Sequence, residues 1–80
     1  MTGHTKDEKF ILSAFEAAEQ SGDTFAVLDR YEIGNSIGLS PKTVNTICQL
    51  LAKANFIKPV GKTEIRLTNN GTDLVNRLSS

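Results

Sequence analysis

The sequence predicts a single small α+β domain, with elements in the order helix, short strand, helix, helix, two-stranded hairpin, helix. Three observations predict this class. Apolar residues recur at helical spacing in several segments, and each segment follows a threonine, serine or aspartate that caps helices well. Residues 56–67 instead place β-branched residues on both sides of a glycine, which is the pattern of a hairpin. Finally, 80 residues are enough for one domain with a modest core.

The domain is expected to span residues 5–80, after a disordered N-terminus of residues 1–4. Its first helix begins at Thr5, which forms a capping box with the glutamate three residues later, and ends near Gly22. Leu12 falls on the polar side of this helix, where a lone leucine is either simply exposed or a contact with a partner subunit. The apolar face carries Phe10, Ile11, Ala14, Phe15, Ala17 and Ala18.

The second and last helices each contain a glycine. A short strand over residues 24–28 leads to the second helix, which Asp29 caps and which contains Gly34. Because glycine weakens a helix by about 1 kcal/mol relative to alanine, tertiary packing must hold this segment, and another helix is expected to cross closely there. Gly38 then ends the helix in the left-handed conformation. Thr68 caps the last helix, whose apolar stripe is Gly71, Leu74, Val75 and Leu78.

The third helix is expected to begin at Ser40, its N-cap. Pro41 suits the first helical position because the N–H that proline lacks would have no partner there. The apolar stripe of the helix includes Cys48, which we interpret as a small core residue and not as a reactive thiol. That stripe consists of Val44, Ile47, Cys48, Leu51 and Ala54. The opposite, polar face consists of Lys42, Asn45, Thr46, Gln49 and Lys53, with Thr43 and Leu50 at one border.

The hairpin allows two registers around Gly61. A two-residue loop suits the preferred turn chemistry, but it places Ile57 on the face opposite Ile65. A three-residue loop brings Ile57, Ile65 and Leu67 to one face. We favour the longer loop, because a misplaced apolar face would repeat along the whole strand. Pro59 cannot donate to a ladder, so the first strand of the hairpin should be an edge strand.

Charge is distributed unevenly along the chain, although nine basic and nine acidic residues give a net charge of zero. Residues 1–40 hold three basic and seven acidic residues, a balance of −4, whereas residues 41–66 hold five basic residues and one acidic, a balance of +4. The positive part includes the polar face of the third helix, which suits an anionic partner. The other interpretation is a solvated surface of mixed charge.

Composition argues against several classes of function. One cysteine cannot form an internal disulfide, and one cysteine with one histidine does not make a usual zinc site. No apolar run is long enough to cross a bilayer and no secretory signal is evident, so a cytoplasmic location is expected. Titratable residues converge nowhere, so we expect neither an enzyme nor a bound cofactor, metal or small-molecule ligand.

Four stretches after residue 28 match the motifs of a known family. They read I-G-N-S-I-G-L-S in the second helix and turn, S-P-K-T-V-N-T-I-C-Q-L-L in the third helix, N-F-I before the hairpin, and L-T-N-N-G-T-D-L-V-N-R-L after it. In this order they resemble the winged helix-turn-helix domain of bacterial and archaeal transcriptional regulators, whose last motif usually reads L-T-x-x-G-x-x-L. The resemblance implies a winged-helix fold and double-stranded DNA as the partner.

The resemblance also implies which residues meet DNA. The third helix, residues 41–54, would enter the major groove, and the wing, residues 58–66, would contact the backbone. Asparagine and glutamine can bond to adenine through two atoms, lysine can reach a phosphate or a guanine edge, and threonine can contact phosphate or a thymine methyl. The implied residues are Lys42, Thr43, Asn45, Thr46, Gln49 and Lys53 on the helix, with Pro41 at its start, and Lys58, Lys62 and Arg66 in the wing.

The sequence departs from the family at two positions and leaves two functions open. Many relatives carry arginine at the position of Thr46, and most carry glycine at that of Asn55. With few basic groups, a single copy is expected to bind DNA weakly and to need a second copy, as in a homodimer. The alternative function is protein contact or assembly without DNA, with Asn45 and Gln49 on a merely solvated face. Zero net charge favours assembly, and the uneven charge with the Asn45 and Gln49 pair favours DNA.

Overall fold

The computed structural model describes residues 4–79 and confirms the α+β class. Within this range the chain forms four helices and one three-stranded antiparallel sheet. Residues 1–3 of the predicted disordered N-terminus, and Ser80 at the predicted end of the domain, lie outside the described residues. The elements are α1 (Lys6–Ser21), β1 (Leu28–Asp29), α2 (Arg30–Ser36), α3 (Pro41–Lys53), β2 (Ile57–Val60), β3 (Glu64–Leu67) and α4 (Asn69–Ser79).

Each helix begins at the residue that the sequence predicts as its cap. The Thr5 hydroxyl accepts a hydrogen bond from the Glu8 backbone N–H, while the Thr5 N–H donates to Glu8 Oε1 at 2.8 Å, which completes a capping box. The Asp29 carboxylate accepts from the Tyr31 N–H at 2.8 Å. Ser40 accepts from the N–H three residues on at 3.3 Å, and Thr68 does the same at 3.0 Å. These bonds satisfy helix N–H groups that have no partner within the helix.

The sheet confirms the three-residue hairpin loop. In the strand order β1-β3-β2, Ile57 pairs with Leu67 and Val60 pairs with Glu64, which leaves residues 61–63 as the loop. β2 is therefore an edge strand, as Pro59 predicted. Ile57, Ile65 and Leu67 are buried on one face, as the favoured register requires, because apolar burial outweighs the preference for a two-residue turn.

The predicted position of the first strand is wrong. Residues 24–27 form a turn and an irregular segment, and β1 contains only Leu28 and Asp29. The turn forms because the Asp23 carboxylate accepts from the Phe25 N–H at 2.9 Å and the Asp23 carbonyl accepts from the Ala26 N–H at 3.0 Å. These local bonds prevail over the β propensity of the segment.

The core lies where the four helices and the inner face of the sheet meet. It contains the four most buried residues of α1, Ile33 of α2, the apolar stripe of α3 apart from Ala54, and Val75 of α4. Two expectations about single residues are wrong. Ala54 is exposed because α3 ends one residue earlier and Ala54 is its C-cap. Leu12 is half-buried and packs against the core, because α1 contacts each of the other three helices and so buries more than one face.

Close packing at Gly34 fixes α2 against α3. A Cβ added at Gly34 would overlap the Val44 Cγ2 methyl and lie 3.5 Å from Val44 Cβ, which confirms the predicted close crossing. Gly38 has φ 77°, the left-handed conformation predicted for the residue that ends the helix. The contact with α2 and the turn between the two helices thus hold α3 at a fixed angle on the surface.

Candidate nucleic-acid interface

The polar face of α3 points to solvent as the sequence predicts. Lys42, Thr46, Gln49 and Lys53 are exposed, and Asn45 is half-buried at one edge of the face. At the other border Thr43 is half-buried and Leu50 is 56% exposed. The helix holds these residues together because its opposite stripe is anchored in the core.

Hydrogen bonds already engage part of this face. The Tyr31 hydroxyl of α2 donates to Asn45 Oδ1 at 2.9 Å, a contact between the two helices that the sequence did not predict. This bond orients the Asn45 amide. Because the bond uses only the amide oxygen, the NH₂ group remains available to donate to another molecule. The direction in which this NH₂ group points therefore depends on the bond from Tyr31.

The two threonines of α3 differ in what they can offer. The Thr46 hydroxyl donates to the Lys42 carbonyl at 3.2 Å, so its hydrogen is used within the helix. The Thr43 hydroxyl instead accepts from the Ser40 hydroxyl at 3.0 Å and keeps its own hydrogen for an outside acceptor. Near the start of α3, Thr43 is thus the better placed of the two to donate to a phosphate oxygen.

The wing residues are divided between its tip and its two faces. Lys62 is exposed in the loop, and Lys58 lies directly opposite Arg66 on the outer face of the sheet. Successive strand residues alternate between faces. Pro59 accordingly lies on the other face and lines a groove beside α3, whereas Lys58 and Arg66 line a separate groove with Phe25. Lys58 and Arg66 are therefore on the face of the wing that does not line the groove beside α3.

Arg30 joins the candidate interface, although the sequence placed it in the acidic half of the chain. Its backbone N–H donates to the Thr63 carbonyl at 3.0 Å, and its guanidinium Nη2 donates to the Glu64 carbonyl at 3.3 Å. It also lines the groove beside α3 with Gln49 and Lys53. No local pattern could have revealed this position, because it depends on the pairing of β1 with β3 across more than thirty residues.

Cys48 is a core residue, as predicted. It is 3% exposed, and burial raises the pKa of its thiol because an apolar environment disfavours the thiolate. The nearby Arg30 guanidinium opposes part of this rise in pKa. A buried, neutral thiol has little reactivity, so Cys48 is not suited to nucleophilic chemistry.

Charge is unevenly distributed over the surface, although Asp7 shares a groove with Lys42 and Glu64 lies in the wing. Glu16, Asp29 and Glu32 line a groove between α1 and α2. The exposed side of α3 and the wing instead carry five of the basic residues, so the imbalance seen along the sequence persists in the fold. Such a distribution orients an anionic partner toward α3 and the wing in spite of zero net charge.

Residues 4–79 contain no candidate metal site and no candidate membrane-spanning helix. No group of three or more histidine, cysteine, aspartate or glutamate side chains is arranged there to hold a metal ion. The same residues contain no helix that is long and apolar enough to span a membrane.

Comparison with solved structures identifies the fold. The chain is similar to the PcaV transcriptional regulator from Streptomyces coelicolor, with a TM-score of 0.74 and 22% sequence identity over 94% of this chain and 54% of the PcaV chain. The domain is a winged helix. PcaV in complex with its natural ligand gives a TM-score of 0.75 at 22% identity, over 95% and 53% of the two chains. No family model and no curated protein matches the sequence.

The likeness to PcaV is a likeness of fold alone, because the sequence identity is only 22%. The winged helix spans about half the length of PcaV. Within it, α2 and α3 form the helix-turn-helix, β2 and β3 form the wing, and α4 follows the wing. The expected winged-helix architecture is confirmed.

Proposed function

We propose that this winged helix binds double-stranded DNA as the reading module of a transcriptional regulator in the cytoplasm. In this proposal α3 enters the major groove and the wing, residues 58–66, lies along the backbone. The polar face of α3 supports the proposal most strongly: it is held outward, it is free of carboxylates, and its groups can bond to base edges and phosphates.

Each residue of the surface has a distinct role in the proposal. Gln49 is exposed at the middle of α3 and reads a base edge, with Asn45 beside it donating through the NH₂ group that Tyr31 leaves available. Lys42 and Thr43 contact a phosphate near the start of the helix. Thr46 presents its methyl group to a thymine, since its hydroxyl bonds within the helix. Lys53, Lys58, Lys62 and Arg66 contribute charge toward the backbone.

A homodimer fits the small number of cations. Every neutralised phosphate adds to affinity through counterion release, and few basic groups limit what one copy can gain. Two linked copies reading neighbouring half-sites overcome this limit. We therefore propose that the functional unit contains two winged helices, and that one copy in isolation binds duplex DNA weakly.

The test is a titration of isotope-labelled protein with random-sequence duplex DNA at low and moderate salt. Amide signals of Lys42, Asn45, Thr46, Gln49 and Lys62 should shift, and raising the salt should reverse the shifts. Replacing Lys42 with glutamine should weaken binding and reduce the salt slope by about 1. The matched control is Lys9→Gln, which removes the same charge from the exposed side of α1. An absence of shifts at low salt would refute DNA binding, and equal binding by the two variants would refute the role of Lys42.

Assembly without DNA is the second candidate, and the exposure of Leu50 favours it. A leucine that is 56% exposed beside the polar face of α3 suits a protein partner better than a phosphate backbone. The same titration separates the functions. Shifts that grow with protein concentration around Leu50, and that ignore DNA, would support assembly in place of DNA binding.

A further inference from the structure

A groove between α3 and the wing, here called the Arg30 groove, has a lining of unusual charge. It has a volume of about 540 Å³ and opens to solvent. Its polar lining is Arg30, Gln49 and Lys53, and none of the residues that line it carries a carboxylate. The remaining wall is apolar and comes from Cys48, Leu50, Ala52 and Pro59. The only charges along this lining are therefore the positive charges of an arginine and a lysine.

Two hydrogen bonds hold Arg30 in place. Its backbone N–H donates to the Thr63 carbonyl in the loop, and its guanidinium Nη2 donates to the Glu64 carbonyl in β3. Its Nε is buried and has no hydrogen-bond partner within the described structure. A guanidinium has five N–H donors and no acceptor, and a buried donor without a partner is unfavourable. Arg30 thus has a donor without an acceptor among the described residues.

Lys53 and Gln49 add further donors to the lining. They lie one helical turn apart on the exposed side of α3, and both line the groove that Arg30 also lines. Lysine supplies three donors, and the glutamine amide can donate or accept. An oxyanion accepts hydrogen bonds only, and arginine binds phosphate with two parallel bonds where geometry permits.

We propose that the Arg30 groove binds a phosphate group through the side chains of Arg30 and Lys53. The groove is open and larger than one phosphate needs, which fits a phosphodiester of a DNA strand that passes from the major groove toward the wing. This inference rests on the proposed DNA binding and adds Arg30 as a contact. Inorganic phosphate has the same chemistry, and the experiment distinguishes the two sources.

The experiment compares three variants and two ligands. Arg30→Gln, Lys53→Gln and the control Lys9→Gln are each titrated with duplex DNA over a range of salt. Loss of one phosphate contact should weaken binding several-fold and reduce the salt slope by about 1 for the first two variants only. Separately, wild-type protein is titrated with inorganic phosphate against chloride at equal ionic strength, and side-chain signals of Arg30 and Gln49 are followed.

The outcomes distinguish a missing phosphate site in the Arg30 groove from a failure of DNA binding. Weaker DNA binding by Arg30→Gln and Lys53→Gln supports a backbone phosphate, and signal shifts specific to inorganic phosphate support the free anion. If both variants bind DNA like Lys9→Gln and phosphate acts like chloride, the site is refuted, even when the amides of α3 still respond to DNA. Because Arg30 also bonds to the wing, the phosphate titration of the wild-type protein decides the question if Arg30→Gln fails to fold.

Discussion

Gly34 offers a direct test of how the helix-turn-helix is held together. The residue lies in α2, where α3 crosses, and an added Cβ would overlap the Cγ2 methyl of Val44. Val44 is fully buried, so its side chain has no open space to move into. The substitution Gly34→Ala must therefore either separate the two helices or force Val44 out of its rotamer.

The change in the free energy of unfolding caused by Gly34→Ala follows from two opposing effects. Alanine in place of glycine favours the helix by about 1 kcal/mol. Overpacking a core costs about 1–3 kcal/mol, and an overlap with a fully buried methyl belongs at the upper end of that range. We expect Gly34→Ala to lower the free energy of unfolding by about 2 kcal/mol, which corresponds to a fall in Tm of roughly 10 °C for a domain of this size.

A double-mutant cycle isolates the contact. Val44→Ala alone removes two buried methyl groups and should cost about 2 kcal/mol. In the double variant the new Cβ at position 34 occupies the space that Val44 vacates. The free energy of unfolding should therefore fall by only about 2 kcal/mol in total, and the coupling energy between the two substitutions should have a similar size. Urea unfolding of the four proteins measures these values. Additive losses, or a Gly34→Ala protein as stable as the wild type, would show that the helices do not cross as described.

Three further predictions concern single side chains. Asn55 has φ 64°, so Asn55→Ala should lower the free energy of unfolding by about 1 kcal/mol while Asn55→Gly does not, and equal urea midpoints for the two variants would contradict this reasoning. Tyr31→Phe should cost about 0.5–1.5 kcal/mol and shift the side-chain amide signals of Asn45, and unmoved signals would mean that the bond does not form. Burial raises the pKa of the Cys48 thiol, so the unfolded chain ionises first and stability should fall above the ordinary thiol pKa of about 8.5, by up to about 1.4 kcal/mol per pH unit. Cys48→Ala should lack this part of the pH dependence, and a constant difference in stability between the two proteins across alkaline pH would count against it.

Local signals predicted most of the fold because each had a local physical cause. Ser40 and Pro41 set the start of α3 through groups that any helix start requires. The loop of the wing followed from the need to bury Ile57 and Ile65 on one face. Gly34 was predicted at a crossing because nothing within its own helix favours a glycine.

The errors arose where tertiary contacts or competing local bonds decided the outcome. Residues 24–28 have β propensity, but the bonds of Asp23 turn the chain, and only Leu28 and Asp29 reach β3. Leu12 was assigned to an exposed side on the assumption that α1 buries one face. The other helices pack around α1, so Leu12 is half-buried against the core.

The candidate site was predicted in part. The sequence placed Lys42 and Gln49 on an outward face of α3, because helical periodicity alone separates that face from the apolar stripe. It could not show that Tyr31 holds Asn45, since the two side chains meet only when α2 crosses α3. Nor could it place Arg30, which reaches α3 only through the pairing of β1 with β3.

The sequence by itself determined the helices, their caps, the hairpin and the polar face of α3, because capping, periodicity and turn formation act over a few residues. The tertiary structure decided which side chains meet across that face. It brought Arg30 from the acidic half of the chain to the groove that Lys53 also lines. Contacts between residues far apart in the chain depend on how the helices and strands pack, and no short-range pattern encodes that packing.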